Sequence, residues 1–322
     1  MELVVQTQFL RMEFADRGEL VPWLGPAIRG LLAMHLKRAE CRWSVQEQDQ
    51  QWRFCRGCPH QSGCVYGITF EPDPPPDWPL FKGQAEGQRA ISLAPFFPVG
   101  QWANPGDAVQ VRITLIGQHA VSVGPQILRR ITDGTTFRLG SRRIRVRFTP
   151  MEAGADWPAG LHRLSHTDLG GPPQEGRIPW LRLELISPLF LEEGAGNGPS
   201  QLVREPTFGQ LFRACLRTVG RAFAQFASPT ADRPGRLEND IPFETLKQWA
   251  ESVQTQSAFW RRFQQPHLSR RHQQRYPLRG IVGGAVFRDV PAALLPWLVW
   301  GGRLGVGQYR VAGAGTWRIL LY

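Results

Sequence analysis

No apolar run in this chain approaches the roughly eighteen residues that a bilayer-spanning helix needs, which excludes a transmembrane helix. The first residues, MELVVQTQFLRMEF, lack a basic start followed by an apolar core. No secretory signal is therefore expected, and the chain reads as cytoplasmic. Cysteine is scarce, five in 322 residues, and in a reducing compartment those thiols are expected free or metal-bound rather than paired as disulfides. Acidic residues are in deficit as well. Asp and Glu total 27 against 38 Lys and Arg, a formal net charge of +11. That imbalance points to a polyanionic partner, with nucleic acid first among them.

What is present is a globular composition, 42% hydrophobic and 20% charged, with length for two ordinary domains. Most of the basic residues are arginine, whose planar fork suits phosphate and base edges. They cluster: five fall between Arg138 and Arg147, and six between Arg261 and Arg279. Val4–Phe14 alternates as a half-buried strand does, and Gly25-Pro26 opens a helix over Ala27–Ala39. Ala90–Pro95 and Val109–Gly117 read as strands, Ser122–Thr132 as a helix, and Ser141–Phe148 as a strand with Arg143, Arg145 and Arg147 along one face. Residues 151–177, rich in glycine, proline and histidine, read as a linker. The pattern then restarts. Trp180–Ser187 is a strand, Thr207–Phe226 an amphipathic helix capped by Thr207, and Phe243–Phe263 a further helical segment. Leu278–Arg288 is a strand pair or one long strand, Val290–Val299 a helix, and Thr316–Leu321 the last strand. Two halves with one element order predict a duplicated β-α-β-β-α-β, ferredoxin-like unit, an α+β fold with domains at 1–150 and 178–322.

Between the last helix and the last strand lies a glycine-rich loop, 301–315, holding Gly301, Gly302, Gly305, Gly307, Gly313 and Gly315. Such a loop lets the backbone approach a ligand closely, and its N–H groups form a nest for an anion. Turn punctuation is the alternative. Four of the cysteines, Cys41, Cys55, Cys58 and Cys64, fall in an insertion at about 41–72, with Cys55 and Cys58 spaced C-x2-C. A structural zinc is the expectation, with His60 as a substitute ligand; an iron–sulfur cluster and free thiols are the alternatives. Cys215 stands alone among Leu211, Phe212 and Leu216 and reads as core.

Several segments together resemble a known family. They are Ile28-Arg29-Gly30 in the first helix; Cys55-Arg-Gly-Cys58-Pro, Cys64-Val-Tyr66 and Phe70-Glu71-Pro72; and Pro105-Gly106-Asp107 before Leu115-Ile116-Gly117. Ile186-Ser187-Pro188-Leu189, Phe208-Gly209-Gln210-Leu211, Ser269-Arg270-Arg271, Pro277-Leu278-Arg279-Gly280 with Gly283, and the terminal glycine loop complete the set, in order over nearly the whole chain. The chain is similar to the CRISPR-associated repeat-specific endoribonucleases of the RAMP superfamily, the Cas-six proteins. The resemblance implies two ferredoxin-like, RRM-related domains with a C-terminal glycine-rich loop. It implies cleavage of CRISPR precursor RNA without a metal cofactor. The 2′-hydroxyl attacks the adjacent phosphorus to leave a 2′,3′-cyclic phosphate, and the 3′ handle of the guide is retained. Repeat RNA, mature guide RNA and other Cas effector subunits are the implied partners. A non-catalytic subunit that only holds guide RNA is the alternative. In its favour, Gly305-Val306-Gly307-Gln308 lacks the histidine and lysine that the family often carries in this loop.

Cleavage of this kind needs a base or acid, for which histidine is suited, and a cation or N–H donors on the developing phosphorane charge. His35, where the family often keeps its catalytic histidine, and nearby Lys37 are the catalytic candidates. The alternative for His35 is packing beside Leu31 and Leu32. His267 and His272 are second choice for catalysis and are read first as RNA contacts. The RNA-binding set is Arg29, Arg143, Arg145, His267, Arg270, Arg271, His272, Arg275 and Arg279, with Gly305, Gly307, Gln308, Arg310, Gly313 and Gly315 in the loop.

Overall fold

The computed structural model describes residues 2–41, 55, 58–75, 81, 87–96, 100–152, 159–170, 176–194, 201–227, 241–269 and 274–322. In the N-terminal half the strands are β1 (Glu2–Phe14), β2 (Gly18–Glu19), β3 (Ile91–Pro95), β4 (Trp102–Ala103), β5 (Ala108–Ile116), β6 (Phe137–Leu139), β7 (Ile144–Met151) and β8 (Gly160–Ser165). The helices are α1 (Gly25–Glu40), α2 (Val65–Phe70), α3 (Gln118–Ser122), α4 (Gly124–Thr132) and α5 (His166–Gly170). The main sheet runs β3-β5-β1-β7-β6, all antiparallel. With β1, β3, β5 and β7 as strands one to four, its order is 2-3-1-4, that of a ferredoxin-like unit. Leu10, Met12 and Phe14 of β1 bury one face under α1 and α4 through Ile28, Leu32, Ile127 and Ile131.

The C-terminal half repeats this plan with β9 (Arg177–Leu185), β10 (Glu192–Glu193), β11 (Gln201–Leu202), β12 (Gln254–Ala258), β13 (Arg261–Ser269), β14 (Gln274–Val282), β15 (Gly284–Pro291) and β16 (Trp317–Leu321). Its helices are α6 (Phe208–Phe226), α7 (Phe243–Ser252) and α8 (Leu295–Leu304). The sheet order β12-β15-β9-β16 is again 2-3-1-4. The β13–β14 hairpin is inserted between the second and third strands and forms its own two-stranded sheet, with one further bridge from Ile281 to Leu189. α6 starts with a capping box, the Thr207 hydroxyl accepting from Gln210 N–H and the Gln210 side chain accepting from Thr207 N–H. Thr207→Ala is expected to lower unfolding stability by about 1 kcal/mol with an unchanged denaturant slope, read from a urea transition. The lone Cys215 is wholly buried in the core, as expected, and burial pushes its thiol pKa up.

The structure differs from the expected elements at three places. The supposed linker contains β8, which pairs with β1 from Glu2↔Ser165 to Thr7↔Gly160, a register composition did not reveal. The segment after Phe243 is helical only to Ser252; polar Gln254–Ala258 then becomes an edge strand. Of the two readings of Leu278–Arg288, the structure has the strand pair, divided at Gly283. The last helix begins at Leu295, since Val290 and Pro291 close β15, and its final turn takes in Gly301 and Gly302. These two glycines are packing positions: a Cβ on Gly301 would meet the Cys215 sulfur, and one on Gly302 would lie 2.6 Å from Trp317 Nε1. Among the described residues no helix is long and apolar enough to cross a membrane.

Candidate functional site

The β13–β14 hairpin folds back on the N-terminal half because its two faces differ. Phe263, Gln265 and Leu278 are buried, whereas Arg262, Gln264, Arg275 and Arg279 are exposed. Phe263 and Leu278 join Trp23, Phe190, Ala312 and Ala314 in one small core, each large side chain contributing on the order of 1.5–3 kcal/mol. The Gln265 carboxamide clamps the backbone just before α1, accepting from Trp23 N at 2.9 Å and donating to Trp23 O at 3.1 Å. That fixes the hairpin over the start of α1.

Further out on the same hairpin face, His267 pairs across to Tyr276, with ring centroids 5.3 Å apart at 70°. Burial, and then the charge of Arg29 on α1, hold the His267 pKa below 6.5. Its imidazole is therefore mainly neutral at pH 7 and able to accept a proton. Tyr309 joins from the glycine loop in a left-handed conformation (φ 57°), its ring 5.0 Å from Phe190. Burial and a side-chain hydrogen bond with Tyr276 raise its pKa to about 12, so the phenol stays protonated and can donate. Strained backbone of this kind is often kept at functional sites. Arg29, His267, Tyr276 and Tyr309 thus bring a fixed cation, a neutral imidazole and two phenols to the junction of the two halves.

The predicted catalytic pair is not brought together. His35 and Lys37 are two positions apart on α1 and so point to different faces. The half-buried His35 has Nε2 3.0 Å from Arg130 O and its ring edge-on to Phe137, with centroids 4.9 Å apart. Lys37 lies two turns beyond Arg29 on the Arg29 face, buried, its ammonium 5.2 Å from the centre of the Tyr66 ring.

The predicted RNA contacts divide by exposure. Gly307 and Gln308 are exposed, while Gly305, Arg310, Gly313 and Gly315 are buried and present no surface to a ligand. Arg310 donates to Arg89 O at 2.7 Å, and burial lowers its pKa to about 9. Close approach in this loop is to the protein's own backbone: a Cβ on Gly307 would strike Phe190 O, and one on Gly315 would strike Val306 O. Arg275 and Arg279 stand on the hairpin's outer face, opposite His267. Arg143 is exposed in the β6–β7 turn, and Arg145 is held bidentate by Asp16, whose carboxyl it keeps at about 2. These two sit at the β6 side of the first sheet, not at the hairpin. Arg270, Arg271 and His272 lie outside the described residues.

The expected zinc site is corrected. Among the described residues no group of three or more His, Cys, Asp or Glu side chains is placed to hold a metal. Cys41, Cys55, Cys58 and Cys64 form no disulfide. Cys55 and Cys64 pack against the first core, and burial together with the Glu71 carboxylate raises the Cys55 pKa to about 12. Glu71 organises this insertion instead, accepting from Cys55 N at 2.7 Å and from the Tyr66 hydroxyl at 3.0 Å.

Sequence reading missed Tyr276, Tyr309, Trp23 and Gln265. A signal was available for the first two, since the chain has only four tyrosines and both lie in segments already singled out. The clamp by Gln265 spans 242 residues and had no local signature.

Comparison with known proteins agrees with this architecture. Residues 183–317 match the family model described as CRISPR-associated endoribonuclease Cas6, and residues 4–168 match the model AF_1859_N, an N-terminal domain. Among solved structures, a Cas6 product complex is similar at 14% identity and a TM-score of 0.55, covering 98% of this chain and 100% of the other. A Cas6 substrate mimic complex is similar at 18% identity and 0.54, covering 98% and 99%. Thermus thermophilus Cas6 is similar at 13% identity and 0.51, also covering 98% and 99%. No curated protein matches the chain. Residues 183–317 thus carry a domain of the CRISPR-associated endoribonuclease Cas6 family, residues 4–168 carry the AF_1859_N domain, and the chain as a whole shares the fold of the Cas6 structures.

Proposed function

We propose that this protein cuts CRISPR precursor RNA within the repeat, without a metal cofactor, and that the chemistry takes place at Arg29, His267, Tyr276 and Tyr309. The observation that carries this reading is their convergence from α1, the hairpin and the glycine loop at the junction of the two halves. The neutral His267 imidazole takes the proton of the attacking 2′-hydroxyl. The oxygen then bonds to the adjacent phosphorus as the P–O5′ bond breaks and the leaving oxygen takes a proton from a phenol, which solvent restores, giving a 2′,3′-cyclic phosphate and a 5′-hydroxyl. Arg29 stabilises the extra negative charge on the phosphorane, and the phenols donate to it or to the leaving oxygen. His35 and Lys37 serve the packing of α1 in this reading.

The exposed Arg262, Arg275 and Arg279 on the outer hairpin face bind backbone phosphates. Each phosphate neutralised contributes roughly −0.7 to −0.9 to the log–log salt slope of binding. Repeat RNA, the 3′ handle of the guide and other Cas proteins are the partners, in the cytoplasm. Affinity and cleavage measured with a cognate repeat RNA and a scrambled RNA of equal length test the reading. Preference for the repeat with one cut is expected. Equal affinity for both would end it, and specific binding without a cut would make the protein a guide-holding subunit.

A further inference from the structure

Each sheet has two faces, and the two halves treat their second face differently. In the first sheet, Leu3, Val5 and Ile116 share a core with α6 and α8, and the buried Arg112 of β5 donates to Arg303 O at 3.2 Å. That face is covered by the helices of the second half. In the second sheet, Leu181, Leu183, Phe287 and Trp317 turn inward to α6 and α8. The alternate residues, Trp180, Arg182, Glu184, Arg288 and Arg318, form the opposite face, on which Arg288 and Arg318 are exposed.

This open face has a particular chemistry. Arg288 pairs across to Trp180 and lays its guanidinium 4.9 Å from the centre of that ring. The Arg182 guanidinium lies 5.5 Å from the centre of Phe259, whose ring is seated over Gly284, where a Cβ would come within 2.8 Å of it. Phe259 remains 42% exposed. Tyr322, 67% exposed, continues the face beside Trp180, its N–H bonded to Trp180 O at 3.1 Å. The carboxylate here, Glu184, is shared by Arg182 and Arg318, the latter 2.6 Å away. Three arginines against one glutamate leave a positive, flat surface studded with aromatic and guanidinium planes. Bases stack on such planes while arginines neutralise phosphates, and only unpaired nucleotides have free base faces to offer.

We infer that this sheet face is a second RNA-binding surface that takes about two or three unpaired nucleotides outside the cleaved segment. The inference rests on the reading of the chain as an RNA endonuclease, but its test does not. The full chain is titrated into labelled octauridylate by fluorescence anisotropy, and the complex is cross-linked with ultraviolet light. Binding is expected, with cross-links in the tryptic peptide that carries Trp180. Arg288→Glu, at an exposed position, is expected to weaken binding by about tenfold or more while leaving cleavage of a flank-free repeat RNA unchanged. Trp180→Phe, which keeps a stacking plane, is expected to retain most of the affinity. Octauridylate bound through this face with no cleavage of repeat RNA would remove the endonuclease reading and leave the surface standing. Equal affinity of wild type and Arg288→Glu, cross-links confined to the hairpin, or a change of oligomeric state in Arg288→Glu without loss of octauridylate binding would each overturn the inference.

Discussion

His267→Ala is expected to slow single-turnover cleavage of repeat RNA by about 10²- to 10⁴-fold while leaving RNA affinity within a few-fold. The side chain sits on the inner hairpin face, and the phosphate-contacting arginines assigned above are on the outer one, so binding and chemistry are separable. The pH dependence has a definite sign. A general base works in its neutral form, which is present above its pKa. Burial and Arg29 hold that pKa below 6.5, so the rate stays level near neutral pH and falls only as pH drops through the lowered value. Arg29→Gln removes one of the two causes. It is expected to lower the plateau by about 10² and move the acid limb to higher pH. His35→Ala is the contrasting variant, expected to stay within about threefold of wild type, since its imidazole faces Arg130 and Phe137. A His267→Ala rate equal to wild type, or a His35→Ala loss of about 10², would reverse the assignment.

The second large effect is on folding. Gly313 lies in the left-handed region (φ 82°) with its α-carbon against β3 of the other half. A side chain there would drive into Ala94 Cα and come within 2.6 Å of Leu93 O, both backbone groups that cannot swing aside. Left-handed backbone costs an L-residue about 1–2 kcal/mol, and forcing apart packed segments about 1–3 more. Gly313→Ala is therefore expected to lower unfolding stability by about 2–5 kcal/mol, a large share of the usual 5–15. Gly106→Ala separates the two contributions. Gly106 has a similar φ of 88°, yet a Cβ there would meet nothing within 4 Å. About 1–2 kcal/mol is expected at that position, read from urea transitions of both variants. Equal losses at the two positions would mean that Gly313 is not a contact between the halves.

The duplicated fold was legible because its signals are local. β1 alternates, Thr207 and Gln210 cap α6, and arginine and glycine runs mark the hairpin and the last loop. The site was legible only in its parts. Arg29 and His267 each belonged to a recognisable basic segment, but their meeting depends on Gln265 reaching Trp23 and on Phe263 and Leu278 sharing a core with Phe190. Those contacts join distant stretches and leave no periodicity. The resemblance points to His35 on the first helix, with Lys37 and Arg38 beside it in sequence, where adjacency in sequence stands for proximity in space. On a helix, neighbours two apart diverge, and His35 Nε2 lies at hydrogen-bonding distance from Arg130 O, away from Lys37. The glycine loop has a similar ambiguity. Glycine permits close approach without naming the partner, and for Gly307, Gly313 and Gly315 the partner is this chain's own backbone. The cysteine cluster carried a metal-like spacing, whereas the folded insertion spends Glu71 on Cys55 and Tyr66.

The most direct test is to incubate the full chain with its cognate repeat RNA in excess EDTA and map both product ends. A single cut leaving a 2′,3′-cyclic phosphate and a 5′-hydroxyl, and absent with His267→Ala, is the predicted result. Cleavage that stops in EDTA, or products with a 3′-hydroxyl and a 5′-phosphate, would contradict 2′-hydroxyl attack promoted by His267.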